Sequence, residues 1–272
     1  MTQQPQLEKI AEGREAEIFA WAEGQVLKLY REGYSAAQPE HESTAMMAAQ
    51  RAGAPVPASL GTTTLLGRPG LIMQRVDGVD MLTQLGKKPW TIFSAGTAMG
   101  RAHAALHAAT APDTLPVVKD VFPSLIRESD LIPSDLADFA VRALAQLPDG
   151  DRLCHGDFHP ANLIVTANGP VVIDWPNASS ADPHADVART LLMIRVATLP
   201  DGSSAVLRSL DRVGRKILLS RYIAAYRRAR PLDMALVERW MIPVAAHRLR
   251  EQVPGERDKV LALLSAARDR GR

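Results

Sequence analysis

The stretch His155-Gly156-Asp157-Phe158-His159-Pro160-Ala161-Asn162 is the densest cluster of polar functional groups in this chain. Two short apolar runs follow it, Leu163–Val165 and Val171–Trp175, separated by an Asn-Gly pair at 168–169. Two-residue hairpins prefer Asn-Gly because both positions favour positive φ. The pattern therefore predicts a β-hairpin whose second strand delivers Asp174 next to the polar cluster.

Three side chains of this segment have the chemistry that phosphoryl transfer requires. Asp157 is a candidate proton acceptor, and Asn162 and Asp174 offer two oxygen ligands for a hard cation such as Mg²⁺. Transfer of a phosphoryl group from ATP depends on charge neutralisation and on positioning of the attacking hydroxyl. Taken alone, His155, Asp157 or Asn162 would be better explained as a residue that caps a turn. The ordered set favours the functional interpretation, with His155 as a hydrogen-bonding support for the loop.

The N-terminal part of the chain offers a cation for the triphosphate. Lys28 lies in the middle of an alternating run, Gln25–Tyr30, which forms a predicted hairpin with Glu17–Ala22. Glu42 lies on the apolar face of the helix predicted after Pro39, where it is placed to pair with Lys28. Glu40 is two residues away, and a shift in register would exchange the two glutamates.

The remaining patterns divide the chain into a sheet-rich part and a helical part. Thr62–Leu66 and Leu71–Val76 flank a turn predicted at 67–70, which indicates a second antiparallel pair. Beyond residue 80, helical periodicity dominates, at 90–107, 133–147, 185–197, 204–229, 233–250 and 257–269. We predict an α+β protein with a small antiparallel-sheet lobe over residues 1–76 and a larger helical lobe over residues 77–272.

Composition excludes several classes of protein. The 272 residues are 46% hydrophobic and 23% charged, which excludes intrinsic disorder, collagen and coiled coil. The single cysteine, Cys154, excludes a disulfide framework and predicts a buried thiol in a reducing compartment. No apolar run reaches the roughly 18 residues of a membrane span. We therefore expect a cytoplasmic protein without a membrane partner.

The net charge of +2 is unevenly distributed along the chain. Residues 1–150 carry a net charge of −4 and residues 151–272 one of +6. The late arginines alternate with Leu, Ile and Ala at helical spacing and have few aromatic neighbours, so a nucleic-acid partner is disfavoured. Solvated helix faces explain them better. Nothing in the sequence specifies an oligomeric state.

His103 and His107 have the i, i+4 spacing of a zinc-binding helix, but the sequence shows no third ligand for them. We therefore expect a packed pair. Asp186, at the start of a predicted helix, is expected to cap that helix or to support the polar loop from inside the protein.

Together, His155-Gly156-Asp157 with Asn162, then Ile173-Asp174-Trp175 and Asp182-Pro183 with Asp186, resemble the signature of the aminoglycoside phosphotransferase family. This family is the small-molecule branch of the protein-kinase-like fold, and the resemblance extends over nearly the whole chain. It implies a two-lobed kinase-like fold and ATP and Mg²⁺ as cofactors.

The resemblance also implies a role for individual residues. Asp157 would orient and deprotonate the substrate hydroxyl, Asn162 and Asp174 would hold Mg²⁺, and Lys28, supported by Glu42, would contact the α and β phosphates. The expected nucleotide contacts are Gly13 over the phosphates, Met73 behind the adenine, and the backbone of Gln74 and Val76 beside it.

Departures from the family pattern bear on the acceptor. Asp174 is followed by Trp175-Pro176, and no long activation segment separates it from Asp186, which argues against a protein substrate. Residues 189–272 hold 18 Lys and Arg against 8 Asp and Glu, a poor match for a polycationic drug. We expect a small-molecule hydroxyl acceptor, with a metabolic sugar or amino alcohol favoured over an aminoglycoside or other antibiotic. The alternative to an enzyme is a module that binds a nucleotide but has little catalytic activity.

Overall fold

The computed structural model describes residues 7–198 and 204–270. Its first part is a five-stranded antiparallel sheet with the order β1-β2-β3-β5-β4. The strands are β1 (Lys9–Glu12), β2 (Ala16–Ala20), β3 (Gln25–Tyr30), β4 (Ser59–Leu65) and β5 (Arg68–Gln74). One helix, α1 (Ala37–Arg51), follows β3 and contacts β4 and β5. Strand β3 lies at the centre of the sheet, and its residues 26–30 are buried.

The sheet confirms both predicted hairpins and corrects their edges. Strand β1 was not predicted, because its four residues are all exposed and carry no apolar alternation. The second turn is Leu66-Gly67, both with positive φ, rather than the segment 67–70. Arg68, Pro69 and Gly70 belong to β5, so the Gly-Arg-Pro-Gly signal lies at the strand's beginning. The chain leaves the sheet after Gln74, so Val76 lies beyond the strand.

The second part of the chain is largely helical, as the periodicity predicted. Its helices are α2 (Met81–Lys87), α3 (Ile92–Leu106), α4 (Val118–Arg127), α5 (Ser134–Ala145), α6 (Pro183–Val196), α7 (Ala205–Ala229), α8 (Met234–Leu249) and α9 (Arg257–Arg270). The sequence did not indicate α2 or α4, which are short. Among the described residues, no helix is both long enough and apolar enough to cross a membrane.

Two small sheets carry the polar segments. Strands β6 (Val79–Asp80), β8 (Leu163–Thr166) and β9 (Gly169–Val172) form one antiparallel sheet, and β7 (Arg152–Cys154) pairs with β10 (Ser179–Ala181) in the other. The predicted hairpin is therefore present as β8 and β9, although β9 ends at Val172 and Trp175 lies outside it. Strand β7 leads into the polar loop, and β9 leads into Asp174. Cys154, at the end of β7, is buried as expected.

Close packing of α3 against α7 holds the centre of the helical part. A Cβ atom added to Gly100 of α3 would lie 2.3 Å from the backbone oxygen of Tyr222 and 2.8 Å from the Cβ of Ala225. Glycine is therefore required at this crossing, because the obstacle is the backbone of α7 rather than a flexible side chain.

We expect Gly100→Ala to destabilise the protein by about 1–3 kcal/mol, since the two helices would have to separate. Gly86→Ala is the matched control, because a Cβ at Gly86 in α2 would meet nothing within 4 Å. Chemical denaturation of both variants measures the difference. Equal free energies of unfolding for the two variants would contradict the packing described for α3 and α7.

Candidate active site

The polar loop after β7 has a backbone that only glycine allows. Gly156 has φ +73°, and a Cβ there would lie 2.2 Å from the backbone oxygen of Asn177. The loop then enters a short 3-10 helix, Pro160–Asn162, capped by the ring of His159, which accepts from the Ala161 N–H. The tight turn at Gly156 places the next residue, Asp157, at the edge of the loop.

Asp157 and Asn162 are in direct contact. The Asn162 Nδ2 group donates to the backbone oxygen of Asp157 at 2.9 Å and to its carboxylate Oδ2 at 3.0 Å. His159 Nε2 lies 3.4 Å from the same Oδ2, and Arg189 Nη2 lies 3.9 Å from Oδ1. Burial alone would raise the pKa of Asp157, but His159 and Arg189 hold it well below its usual range. Asp157 is therefore ionised at neutral pH.

His155 joins the two segments that carry the candidate site. Its Nε2 donates to the backbone oxygen of Ile173 at 3.0 Å, and its Nδ1 accepts from the Asp157 N–H at 3.1 Å. Because a carbonyl only accepts, the proton of this ring is on Nε2. Burial lowers the pKa of His155, so the ring is neutral and acts as a fixed brace, as the sequence predicted.

Asp174 is held in an unusual backbone conformation and faces the sheet. Its φ of +68° lies in the left-handed region, which non-glycine residues rarely adopt. Its Oδ1 lies 2.7 Å from Lys28 Nζ, and Lys28 in turn lies 2.5 Å from Glu42 Oε1. Glu42, and not Glu40, is therefore the partner of Lys28, and it also accepts a hydrogen bond from the Tyr30 hydroxyl.

The Lys28 ammonium is buried but remains charged. Burial lowers its pKa, but the carboxylates of Glu42 and Asp174 more than offset this effect and raise the pKa above its ordinary value. The side chain of Asp174 is 45% exposed, whereas that of Glu42 is 2% exposed. Glu42 thus fixes the lysine from inside the protein, and Asp174 faces the open side.

Asp186 is the acceptor on which the polar loop is fixed. Its carboxylate accepts from the backbone N–H groups of His155 at 2.6 Å and Gly156 at 3.0 Å. It also accepts from Nε2 of His103 at 3.0 Å and of His107 at 3.3 Å. All four contacts hold the loop before Asp157 against α3, so Asp186 supports the loop from inside, as expected from the sequence.

The histidine pair of α3 lies next to an acidic residue, the third possible metal ligand that the sequence did not show. His103, His107 and Asp186 are within reach of one metal ion. The ring Nδ1 atoms accept from the hydroxyls of Tyr222 and Tyr226, both at 2.7 Å. Since every ring nitrogen and both carboxylate oxygens have a hydrogen-bond partner, the cluster is satisfied as a packed network of neutral histidines.

Arg189 is the residue of this site that sequence reasoning missed. Its Nε donates to the backbone oxygen of Gly156, and its Nη2 lies 2.6 Å from Glu251 of the segment after α8. The available signal was its spacing, because Arg189 follows Asp186 by about one helical turn and so shares its face.

The residues expected to contact a nucleotide lie in the turn between β1 and β2 and at the end of β5. Gly13 lies in the exposed turn between β1 and β2, where its N–H donates to Ala16. Met73 is half-buried near the end of β5, and Val76 lies just beyond it. The backbone N–H of Gln74 donates to the backbone oxygen of Ala58 at 2.9 Å and is therefore engaged within the sheet.

Residues 6–232 match the family model APH, the phosphotransferase enzyme family. The chain therefore belongs to this family, and the resemblance inferred from the polar loop is confirmed. No curated protein sequence matches the chain significantly.

Solved structures show the same fold at low sequence identity. Amicoumacin kinase hAmiN, in complex with AMP-PNP, Ca²⁺ and Ami, is 16% identical with a TM-score of 0.64, over 98% of this chain and 89% of that one. A putative fructosamine-3-kinase from Haemophilus somnus 129PT is 16% identical with a TM-score of 0.64, over 96% and 90%. The aminoglycoside phosphotransferase APH(3'')-Id from Streptomyces rimosus ATCC10970, in complex with ADP and streptomycin, is 18% identical with a TM-score of 0.56, over 90% and 94%. These likenesses confirm the predicted kinase-like fold.

The buried histidines make stability depend on pH. Burial lowers the pKa of His107 to about 4, whereas an unfolded histidine has a pKa of 6.5. Between these values only the unfolded chain takes up the proton, so stability is lost as the pH falls below about 6.5. We expect the free energy of unfolding to be lower at pH 5 than at pH 7 by at least ~2 kcal/mol.

Urea denaturation at the two pH values measures this effect, and the drop should be smaller in His107→Gln. A free energy of unfolding that is the same at pH 5 and pH 7 would mean that the pair is charged in the folded protein.

Proposed function

We propose that this protein transfers the γ-phosphoryl group of ATP to a hydroxyl group of a small molecule, with Asp157 receiving the proton. The observation that carries the proposal is the contact of Lys28 with Asp174, because it joins the sheet to the loop system that holds Asp157 and Asn162. A cation, a proton acceptor and two oxygen ligands then lie on connected segments of the chain, and they are the set that phosphoryl transfer needs.

The donor atoms left over in the site fit a Mg²⁺ ion. The Asn162 amide nitrogen donates twice to Asp157 and lies 3.5 Å from Nε2 of His159, which leaves the Oδ1 oxygen of Asn162 for a metal. Asp174 contacts Lys28 through Oδ1 only, so Oδ2 is available as a second oxygen ligand. Oxygen ligands are those that Mg²⁺ prefers. When bound, Mg²⁺ neutralises the negative charge of the triphosphate.

The residues of the chain then have separate tasks. Lys28 attracts the α and β phosphates, and Glu42 holds its ammonium in place. Asp157 accepts a hydrogen bond from the acceptor hydroxyl and orients it toward the γ-phosphorus. As the new oxygen–phosphorus bond forms, the bond to the β–γ bridging oxygen breaks, Asp157 takes the proton and ADP leaves. Its low pKa places this proton transfer late, after bond formation has made the hydroxyl acidic.

Complexes of related proteins support a nucleotide and a divalent cation as partners. Amicoumacin kinase hAmiN was solved with AMP-PNP and Ca²⁺, and APH(3'')-Id with ADP and streptomycin. We assign Met73, the Gln74 carbonyl and Val76 to the adenine, and Gly13 to the phosphates, with the boundary between the lobes at residue 76. Because Lys28, Asp157, Asn162 and Asp174 are all present, catalysis is favoured over a module that only binds nucleotide.

Asp157→Asn should strongly lower turnover while leaving nucleotide binding nearly unchanged. We expect ADP formation from Mg·ATP with a reactive acceptor to fall by about 10²–10⁴-fold, because the amide cannot take the proton. The affinity for Mg·ATP, measured by calorimetry, should remain within a few-fold. Asp151→Asn, an exposed aspartate of the same segment, is the control. Retention of most of the rate in Asp157→Asn would refute the role of Asp157 as base.

Glu42→Gln should weaken the use of ATP, whereas Glu40→Gln should not. The buried Lys28 would lose one charged partner, for which a hydrogen bond to a charged group contributes about 1.5–3 kcal/mol. We therefore expect kcat/KM for ATP to fall by about 10- to 100-fold. Glu40 is exposed on the same helix and makes no contact with Lys28. Equal effects of the two substitutions on steady-state ADP formation would disprove the assignment of Glu42.

A further inference from the structure

A cavity of about 190 Å³ lies beside the polar loop. It is bounded by Gly156 and Arg189, which both contact or adjoin Asp157, and by Asn177 from the segment after Asp174. Asp157 itself does not line the cavity, but its chain neighbour Gly156 and its ion-pair partner Arg189 do, so the cavity lies next to the residue that we propose as proton acceptor.

The wall of the cavity is mainly apolar. Helix α4 contributes Val118, Val121, Phe122 and Leu125. The ring of Phe122 stacks on that of His247 from α8, with 4.1 Å between centroids and an interplanar angle of 2°. An apolar cavity of about 150 Å³ is enough to hold a benzene-sized group. This cavity is therefore large enough for one aromatic ring or branched alkyl group.

Two ring nitrogens without hydrogen-bond partners belong to this same wall. Among the described residues, three buried side-chain polar atoms have no hydrogen-bond partner, and two of them are Nε2 of His41 and Nδ1 of His247. Both histidines line the cavity. Buried polar atoms in proteins are nearly always paired, so these two ring nitrogens are available to hydrogen-bond a group that enters the cavity.

The tautomer of His247 defines what such a ligand must offer. Arg250 Nη1 lies 3.4 Å from His247 Nε2. A guanidinium only donates, so Nε2 is the acceptor and the proton is on Nδ1. The Oε1 atom of Glu251 lies 3.8 Å from Nδ1, too far for a hydrogen bond, and is occupied by Arg189. The unpaired group is therefore an N–H donor, which an oxygen of the ligand would satisfy.

The charges around the cavity disfavour an ammonium group. Asp186 is the only acidic residue among the described residues of the lining, and its carboxylate already accepts four hydrogen bonds. Arg189 lines the cavity and pairs with Glu251, Arg248 pairs with Glu251 and Glu256, and Arg250 lies beside His247. Burial, together with these three arginines, lowers the pKa of His247 to about 3, so the ring is neutral. The carboxylates nearest the cavity, Asp186 and Glu251, are thus engaged by other partners and leave no free acidic group for an ammonium, whereas an oxygen-bearing group can accept from the Nδ1–H of His247.

We propose that the cavity is the acceptor site. It selects a hydroxyl compound that has one compact apolar group and no ammonium group. An oxygen atom of this compound accepts a hydrogen bond from the Nδ1–H of His247. This inference rests on the proposed phosphoryl transfer: the acceptor oxygen bonds to the γ-phosphorus, the β–γ bridging bond breaks, the proton passes to Asp157 and ADP leaves. Polycationic aminoglycosides are excluded as preferred acceptors, and so are the unsubstituted sugars and amino alcohols that the sequence alone favoured.

Three acceptors that share one apolar group test the selection by charge. They are 3-phenylpropane-1,2-diol, which is neutral, 2-hydroxy-3-phenylpropanoate, which is anionic, and phenylalaninol, which carries an ammonium. Kanamycin and glucose complete the set, and kcat/KM is measured by ADP formation with Mg·ATP. We expect the neutral or the anionic compound to exceed phenylalaninol, kanamycin and glucose by at least ten-fold.

Variants of the cavity wall test its location. His247→Phe keeps a ring on Phe122 but removes the donor, and Val121→Trp fills the space. Each should lower kcat/KM for the preferred phenyl compound at least ten-fold while leaving the affinity for Mg·ATP unchanged. Val213→Trp on the exposed face of α7 is the matched control and should have no effect. Denaturation midpoints establish that the variants are folded.

The outcomes separate this inference from the proposed function. If kanamycin, glucose or phenylalaninol is phosphorylated as well as the phenyl diol and the hydroxy acid, the inference is wrong and the phosphotransferase assignment stands. If the phenyl compounds react but neither His247→Phe nor a folded Val121→Trp changes their kcat/KM, the cavity is not the acceptor site. If Mg·ATP binds and no compound of any class is phosphorylated, both proposals fail.

Discussion

The rest of the site depends on one buried carboxylate. Asp186 accepts two hydrogen bonds from the backbone of the polar loop and two from histidines of α3, and those histidines are bonded to tyrosines of α7. A buried charge is tolerable only when it is fully hydrogen-bonded. The loop, α3 and α7 are therefore fixed relative to one another by the requirement to satisfy a single group. The close approach of α7 to Gly100 makes these contacts possible.

A second constraint joins this rigid part to the sheet. Lys28 is buried between Glu42 and Asp174, and Asp174 adopts a left-handed backbone that is strained for an aspartate. His155 braces the backbone on both sides, at Asp157 and at Ile173. The groups that we propose for the nucleotide, the metal and the proton are thus positioned before any substrate binds, which is how protein sites support phosphoryl transfer.

The parts of the site that are local in sequence could be predicted from it. The spacing from Asp157 to Asn162, the hairpin before Asp174 and the placement of Lys28 on a strand follow from short patterns. Contacts between distant segments could not be predicted. Arg189 reaches Asp157 only because α6 turns one face to the loop, and Phe122 stacks on His247 across two helices, one of which the sequence did not indicate. Periodicity fixes which face of a helix is apolar but not which neighbour that face meets.

The central claim is that a phosphoryl group passes from ATP to a hydroxyl in this site. Phosphorus NMR of Mg·ATP with the protein and a mixture of hydroxyl compounds follows the transfer directly. The account predicts that the γ-phosphorus signal is replaced by a phosphomonoester signal in equal amount to the ADP formed. Intact ATP, or inorganic phosphate as the only other product beside ADP, would contradict it.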